Sequence, residues 1–324
     1  MRDPEGIARA IREARTIAIC SHISPDGDTI GSALAMRLAA LSLGKTVRVF
    51  CQDKVPDNLL FLPGVEGIRS PLGNQEKFDL FLAVDVSDRG RMGACAELLK
   101  DCAHTAQIDH HETNPGYAEI NSVDGAASAT CTMLRDQIRA LGLPLTREMA
   151  ICLYTGISTD TGNFSFDCTD AETFRVMSDL MEVGLPLAEL NLKLFRERDP
   201  AQLRLLGRAI QGMWYEAEGR LAVMVLTWKD FEACGALSEH SDTLVNYGLE
   251  TTGTEMALLA RETEEGRIKF SLRARPPLRV DLIAARLGGG GHAQASGITM
   301  EGPIGAAVSR VIREMLQSLD GEKK

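Results

Sequence analysis

The sequence lacks the features of membrane-bound, secreted and disulfide-rich proteins. No apolar run approaches the length of a membrane span, and the N-terminus mixes acidic and basic residues without a signal-peptide pattern. The eight cysteines form no Cys-x-x-Cys pair. Several of them, such as Cys20, Cys131 and Cys152, lie inside apolar runs, as reduced core residues do. We therefore expect a cytoplasmic protein that has no membrane partner.

Positive charge is also scarce. Lys and Arg number 35 against 45 Asp and Glu, and the formal net charge is −10. This balance argues against a broad, non-specific grip on duplex nucleic acid, but it leaves room for a short nucleotide in a locally positive pocket. The length of 324 residues suits two domains that each bury a core.

A polar stretch, residues 22–28, lies between two apolar patterns. Residues 16–20 are apolar and partly β-branched, which predicts a buried strand, and a helical rhythm runs through residues 33–41. The stretch is therefore a strand-to-helix loop, and its ionisable side chains are those of His22, Asp26 and Asp28. On its own the pattern fits two interpretations equally well. It is an Asp-rich turn in which Asp28 caps the next helix, or it is a set of metal ligands.

Two further predicted strands and one predicted helix also end in polar residues. Residues 78–84 and 103–108 form apolar strands, and residues 146–158 form a helix. The polar residues that follow these elements are Asp85, Asp109-His110-His111 and Asp160. Strands that alternate with helices build a parallel sheet with its site at the carboxyl edge, so we expect these side chains to meet those of the first loop. The first part of the chain is predicted to be an α/β domain.

The pattern changes in the second half of the chain. Helices dominate residues 126–212, with a charged corner at residues 196–200, and strand-like runs separated by short helices begin at Gly219. We expect an N-terminal parallel-sheet domain over residues 1–196, a linker over residues 197–216 and a smaller α+β domain over residues 217–324.

Polar side chains from the ends of separate elements are candidates for one site. They are His22, Asp26, Asp28, Asp85, Asp109, His110, His111 and Asp160. Carboxylate and imidazole ligands without thiolate suit Mn²⁺, Mg²⁺ or Fe²⁺ better than structural zinc. One ion takes about four protein ligands, so this set is too large for one. Two divalent ions about 3.5–4 Å apart that share a carboxylate fit the hydrolysis of phosphate esters.

Four motifs occur in order along the chain. They are His-x-x-x-Asp-x-Asp at residues 22–28, Val84-Asp85, Asp109-His110-His111 and Ser158-Thr159-Asp160-Thr161-Gly162. Together they resemble the motifs of the DHH phosphoesterase family, which includes RecJ-type exonucleases. In the second half, Ser271-Leu272-Arg273 and the later Gly-Gly-Gly-Gly-His-Ala-Gln-Ala-Ser-Gly run at residues 288–297 resemble the DHH-associated substrate-binding domain. Each motif is weak alone, but their order over nearly the whole chain is specific.

The resemblance implies a role for each matching residue. A first metal ion would be held by His22, Asp26 and Asp85. A second would be held by Asp28, Asp85, His110 and Asp160, with Asp85 bridging the two ions. Since His111 would then face the scissile phosphate, Asp85 and His111 are the predicted catalytic residues. Asp109 would support an imidazole or the local turn, whereas His104 and His240 match no motif.

The four consecutive glycines, residues 288–291, have two interpretations. Such a run is often a flexible linker, but this one stands between a predicted helix over residues 280–287 and another apolar run. It is not a P-loop, because no Lys-Ser/Thr pair follows. Glycine amides can cradle a phosphate, so we favour a substrate phosphate site. Its predicted residues are Arg273, Gly289, Gly290, Gly291 and His292, together with His111 of the first domain.

The two-domain length, without an added nucleic-acid-binding domain, resembles the nano-RNase and pAp phosphatase branch of the family. The resemblance implies hydrolysis of very short oligoribonucleotides to nucleoside 5′-monophosphates, and of 3′-phosphoadenosine 5′-phosphate (pAp) to AMP, with two divalent ions, Mn²⁺ first among them. The branch often has a basic residue just after the segment that matches residues 244–247, where this chain reads Gly248-Leu249-Glu250.

Other functions and assemblies stay open at this point. A phosphodiesterase for linear or cyclic dinucleotides and an exopolyphosphatase are the enzymatic alternatives. A nucleotide sensor without activity is the alternative of another class, although every ligand position is present in this chain. The oligomeric state is open, with a homodimer among the options.

Overall fold

The computed structural model describes residues 2–73 and 76–321. The chain divides into two compact units, Met1–Glu197 and Arg198–Lys324. Among the described residues, no helix is both long enough and apolar enough to cross a membrane.

The first unit alternates strands with helices, as the sequence predicts. Its helices are α1 (Pro4–Glu13), α2 (Gly27–Ser42), α3 (Thr130–Ala140), α4 (Arg147–Asp160), α5 (Ala171–Glu182) and α6 (Leu187–Asn191). Its strands are β1 (Thr16–Cys20), β2 (Thr46–Phe50), β3 (Ile68–Arg69), β4 (Phe78–Val84), β5 (Cys102–Asp109) and β6 (Ile120–Val123). After α6 the chain makes a π-helical turn over Leu192–Arg196.

The six strands form one parallel sheet in the order β3-β2-β1-β4-β5-β6. The order of strands reverses between β1 and β4, so this pair is the switch point of a doubly wound sheet. Such sheets bind ligands in the crevice outside the carboxyl ends of the strands at the switch point. The loop after β1 and the residue after β4 therefore open on the same crevice. The predicted parallel sheet is confirmed.

Strand β1 shows why these strands are continuous apolar runs. Ile17 and Ile19 pack into the larger core, whereas Ala18 and Cys20 pack into a second core on the other face of the sheet. Successive side chains of a strand point to opposite faces, so a strand covered on both sides has no position for a polar residue. The ionisable residues beside β1 therefore follow the strand, where the site lies.

Helix α2 begins earlier than its apolar rhythm predicts. It starts at Gly27, because the Asp26 carboxylate accepts the N–H groups of Asp28 and Thr29, each at 3.1 Å. These bonds satisfy N–H groups that have no partner inside the helix. Asp28 is inside the first turn, so the interpretation that Asp28 caps this helix is wrong.

The second unit is a mixed α and β structure, in agreement with the predicted α+β class. Its helices are α7 (Pro200–Gln211), α8 (Trp228–Cys234), α9 (Asn246–Leu249), α10 (Val280–Arg286) and α11 (Ile304–Gly321). Its strands are β7 (Trp214–Glu216), β8 (Leu221–Leu226), β9 (Met256–Glu262), β10 (Ile268–Ala274), β11 (Gly290–His292) and β12 (Ala295–Met300). They form a sheet in the order β11-β12-β10-β9-β8-β7, in which β8 and β9 are parallel and the other neighbours antiparallel.

Residues 197–216 do not form the linker that the sequence predicts. It holds helix α7 and strand β7. Leu205 and Ala209 of α7 are buried in one apolar cluster with Leu226 and Phe231 of the second unit. The charged corner at residues 196–200 marks a helix start rather than a flexible connection, since the Asp199 side chain accepts the N–H of Ala201. From Arg198 onward the segment therefore belongs to the second unit.

Helices α2 and α4 approach each other through glycine. A Cβ atom on Gly31 of α2 would lie 2.4 Å from the carbonyl oxygen of Cys152 in α4, and one on Gly156 of α4 would lie 2.5 Å from Asp28 Oδ1 in α2. Both distances are far shorter than the ~3.5–4.0 Å at which non-bonded carbon atoms attract best. The close contact of the two helices therefore requires that position 31 carry no side chain.

We predict that Gly31→Ala lowers the free energy of unfolding by about 1–3 kcal/mol, the usual cost of overpacking. Gly207→Ala in α7 is the matched control, because a Cβ there would meet nothing within 4 Å. Replacement of this helical glycine should raise the free energy of unfolding by about 0.5–1 kcal/mol. Urea unfolding followed by circular dichroism measures both changes. A stabilising effect of Gly31→Ala would mean that α2 and α4 have room for a methyl group.

Candidate metal centre

The turn after β4 aims a carboxylate into the crevice. Asp85 has a φ of 58°, a left-handed conformation that is uncommon for a residue other than glycine. Its N–H donates to the carbonyl oxygen of Ile108 at 2.9 Å, which continues the pairing with β5. Backbone strain of this kind is concentrated at functional sites.

Asp85 lies between two imidazoles. Its Oδ2 is 3.4 Å from His22 Nε2, and its Oδ1 is 3.5 Å from His110 Nε2. Oδ1 also accepts a hydrogen bond from Thr130 Oγ1 at 3.1 Å. The side chain is 2% exposed, so both oxygens face protein groups on opposite sides. A carboxylate shared between two ions needs this arrangement.

Three groups of side chains with metal-ligand atoms lie at or beside Asp85. Within each group the ligand atoms are within 4.8 Å of one another. One group is His22, Asp26 and Asp85, a second is Asp28, His110 and Asp160, and a third is Asp85, His110 and His111. In the first, His22 Nε2 is 3.5 Å from Asp26 Oδ2, and in the second, His110 Nε2 is 3.2 Å from Asp160 Oδ2. The structure thus brings together all six residues that the sequence suggested as metal ligands.

Each imidazole is held in the orientation that a metal ligand needs. Nδ1 of His22 lies 2.8 Å from the carbonyl oxygen of Ile23, and Nδ1 of His110 lies 3.2 Å from that of Ala127. A carbonyl oxygen accepts only, so Nδ1 of each ring carries a proton, and Nε2 is the nitrogen left for a metal ion. Protein groups that fix the tautomer in this way accompany nearly all metal-binding histidines. The donor set, oxygen and imidazole, therefore fits divalent cations.

Asp28 has a second partner that sequence reasoning missed. Its two carboxylate oxygens accept the backbone N–H groups of Thr130 at 2.6 Å and Cys131 at 2.9 Å. Those amides open helix α3, where the helix dipole favours an anion. Asp28 is fully buried, so it caps a helix from another part of the chain while it lies in the metal-ligand group. The sequence offered no sign of this contact, because 102 residues separate Asp28 from Thr130.

The pKa values reflect the crowding of carboxylates. Burial would lower the pKa of His22 and His110, but hydrogen bonds and charges from the neighbouring aspartates outweigh it and raise each pKa to about 10. Burial raises the pKa of Asp28 and of Asp160, and the charge of Asp85 raises both further. The site therefore favours bound positive charge over bare carboxylates.

His111 points its free nitrogen away from Asp109. Nδ1 of His111 lies 2.8 Å from Asp109 Oδ1, and this hydrogen bond raises the pKa of the imidazole. Asp109 is fully buried and also accepts a hydrogen bond from Asn114 Nδ2 at 2.5 Å. The geometry agrees with the supporting role that the sequence suggested for Asp109, and it leaves Nε2 of His111 without a protein bond among the described residues.

The predicted phosphate site of the second unit has a different form from the expected glycine loop. Gly290 and Gly291 belong to strand β11, which pairs with β12 at the edge of the sheet. Gly289 cannot offer its amide, because this N–H donates to the carbonyl oxygen of Ala284 at 2.8 Å and so ends helix α10. A Cβ at Gly289 would lie 2.1 Å from the carbonyl oxygen of Gly297, so close packing explains that glycine. The run is neither a flexible linker nor a free loop.

Arg273 and His292 occupy the same region of the second unit. Arg273 pairs with Ala295 across β10 and β12, and His292 pairs with Ala295 across β11 and β12. Arg273 Nη1 donates to the carbonyl oxygen of Leu272 at 3.0 Å, and burial lowers the pKa of the guanidinium. No ion pair among the described residues involves Arg273, so its charge is open to an anion.

Each of the two units matches a domain of known proteins. The N-terminal domain of the DHH family matches residues 16–157, and the DHHA1 domain matches residues 224–322. The bifunctional oligoribonuclease and PAP phosphatase NrnA of Thermus thermophilus is 35% identical over 94% of this chain and 90% of its own length.

Solved structures share the fold. An exopolyphosphatase-related protein from Bacteroides fragilis has a TM-score of 0.89 at 26% identity, over 99% of this chain and 96% of its own. RecJ from Thermus thermophilus, solved in complex with Mn²⁺, has a TM-score of 0.53 at 16% identity, over 95% of this chain and 53% of its own. The four motifs, their meeting point around Asp85 and these matches lead to one conclusion: the chain belongs to the DHH family of phosphoesterases.

Proposed function

We propose that this enzyme hydrolyses very short oligoribonucleotides to nucleoside 5′-monophosphates and converts pAp to AMP. The observation that supports the proposal best is the position of Asp85 between two imidazole–carboxylate groups. The name of the Thermus thermophilus relative, an oligoribonuclease and PAP phosphatase, indicates the substrate class. We further propose that it acts in the cytoplasm, since most of its cysteines are buried free thiols.

Two divalent ions, Mn²⁺ first among the candidates and Mg²⁺ or Fe²⁺ after it, would be held by the six ligand residues. His22, Asp26 and Asp85 would hold one, and Asp28, Asp85, His110 and Asp160 the other. When bound, such a pair activates water and neutralises charge on the phosphoryl group. The four ligating aspartates formally cancel the charge of two divalent cations, so a phosphate needs separate positive partners from the protein.

The protein's own side chains would supply the positive partners of the phosphate and would orient it. Asp109 holds the Nδ1 side of His111, so Nε2 of His111 is available to a phosphate oxygen. We assign Asp85 and His111 as catalytic residues on these grounds. In the second unit, Arg273, His292 and the amides of Gly290 and Gly291 would bind a substrate phosphate, while Gly289 contributes by packing rather than by its N–H.

A substrate panel tests the activity. We expect Mn²⁺-dependent release of mononucleotides from di- to pentaribonucleotides and of phosphate from pAp, with rates that fall as the chain lengthens. Cyclic dinucleotides and polyphosphate belong in the same panel, because a dinucleotide phosphodiesterase or an exopolyphosphatase would prefer them. Rapid internal cleavage of a long, end-blocked RNA would contradict the proposal.

Metal removal should lower the stability of the first unit. Convergent carboxylates repel one another when no cation neutralises them, and a ligand that binds the folded state alone stabilises it by about 2.7 kcal/mol at 100 times its Kd. For a unit of this size we therefore expect a chelator to lower the Tm by roughly 5–10 °C at pH 8. Added Mn²⁺ should reverse the change. An unaltered Tm, with metal loss proved by elemental analysis, would argue against a two-metal centre.

Two substitutions should separate metal binding from substrate binding. Asp85→Ala should abolish turnover and reduce metal content, because both ions lose a ligand. Arg273→Ala should keep the metal content but weaken dinucleotide binding roughly 10- to 150-fold, since a charge-assisted hydrogen bond contributes about 1.5–3 kcal/mol. Turnover of bis-p-nitrophenyl phosphate, a smaller substrate, should fall less in Arg273→Ala.

Arg279→Ala is the matched control for Arg273→Ala, because the Arg279 guanidinium pairs with Asp281 at 2.6 Å on the surface of the same unit. It should leave KM, kcat and metal content unchanged. Loss of metal in Arg273→Ala, or an equal loss of activity on both substrates, would contradict the assignment.

A further inference from the structure

Arg91 lies beside the metal centre without a role in the arrangement described so far. Its Nη2 is 3.2 Å from His22 Nδ1. In the described part of the chain this is the one polar contact of the guanidinium within hydrogen-bond distance, and no ion pair includes it. A guanidinium has five N–H donors, and no nitrogen atom of Arg91 is both buried and without a partner. Its remaining donors are therefore open to an incoming anion.

The backbone of Arg91 is fixed by the two loops that supply the metal ligands. Its carbonyl oxygen accepts the N–H of Ile23 at 2.9 Å, and its own N–H donates to Asp88 Oδ1 at 3.1 Å. Gly93 follows with a φ of 56°, and a Cβ there would lie 2.4 Å from Ile23 Cγ2. The loop after Asp85 is thus packed tightly onto the loop that contains His22, and the position of Arg91 follows from that packing.

The contact with His22 cannot satisfy Arg91 when His22 binds a metal ion. Nε2 of His22 is the ligand atom, since it faces Asp26 and Asp85. The proton is then on Nδ1, which donates to the Ile23 carbonyl oxygen at 2.8 Å. Arg91 has donors only, so it cannot form a hydrogen bond with that N–H. The guanidinium therefore lies at the Nδ1 side of the His22 ring, opposite the ligand atom Nε2, and its N–H groups are available to another acceptor.

We propose that Arg91 binds a phosphate oxygen of the substrate on the His22 side of the centre; this rests on the proposed function. A nucleotide phosphate is the anion that the reaction brings to this place, and a guanidinium matches two phosphate oxygens at once. Arg91 is therefore a phosphate-binding residue of the first unit, in addition to His111. Sequence patterns did not single it out, because it lies in an ordinary turn.

The test compares Arg91→Gln with Arg89→Gln. Arg89 is two residues away in the same loop and donates to the carbonyl oxygen of Tyr117 at 3.2 Å, so it is the matched control. Calorimetry of the Mn²⁺-loaded proteins with AMP as the probe should show affinity weakened roughly 10- to 150-fold in Arg91→Gln and unchanged in Arg89→Gln. Metal content should stay at the wild-type level in both, and Arg91→Lys should recover part of the affinity.

Kinetics identify which phosphate is bound. A loss of kcat/KM for pApA but not for ApA assigns Arg91 to the flanking 5′-phosphate, and equal losses assign it to the scissile phosphate. If Arg91→Gln binds AMP as tightly as Arg89→Gln does, the proposal is overturned. Loss of metal in Arg91→Gln also overturns it, since Arg91 would then be a positioning residue for His22. If wild-type protein cleaves nothing in the panel while AMP affinity still depends on Arg91, the proposed reaction fails and the phosphate site stands.

Discussion

The convergence of four aspartates, one of them Asp85 at the centre, is the constraint on which the first unit depends. Carboxylates this close repel one another unless donors or cations surround them. Two of them have helix N-termini: Asp26 accepts the amides of α2, and Asp28 accepts those of α3. Asp160, in contrast, is the last residue of α4, where the helix dipole disfavours negative charge. The carboxylate of Asp160 is therefore the one that depends most on a cation.

The close contact of α2 and α4 connects this charge cluster to the core. Asp28 lies in the first turn of α2 and Asp160 at the end of α4, so the two carboxylates meet only because their helices pack closely. Gly31 and Gly156 permit that approach. A methyl group at Gly156 would also lie 2.5 Å from Asp28 Oδ1. The packing of the two helices thus also sets the positions of the metal-ligand carboxylates, and both depend on glycine at positions 31 and 156.

The second unit uses glycine for a different purpose. Gly289 and Gly291 allow β11 to lie close against β12, and Gly291 has a φ of 142° that other residues rarely adopt. The resulting edge strand ends at His292, near the strand that holds Arg273. Because this unit has its own apolar core, the residues that we propose for anion binding are positioned by contacts other than those that position the metal ligands. This separation is consistent with a division of labour between metal and substrate binding.

The sequence by itself determined the types and order of the functional residues. Apolar runs that end on Asp85 or on Asp109-His110-His111 are local patterns, and strand burial on both faces disfavours charged residues inside the strands. The parallel sheet and the six side chains that meet at its carboxyl edge were therefore predictable. The place of residues 198–216 in the second unit and the start of α2 were not predictable, because caps and core contacts override local charge and periodicity.

Only the tertiary structure decided what each polar atom contacts. It alone shows that the Asp28 carboxylate caps α3, that Gly289 has no free amide, and that Arg91 lies beside His22. These contacts join residues far apart in the chain, and in the case of Arg91 and His22 the separation is 69 positions. They result from the way strands and helices pack, and no periodicity or motif encodes that packing locally.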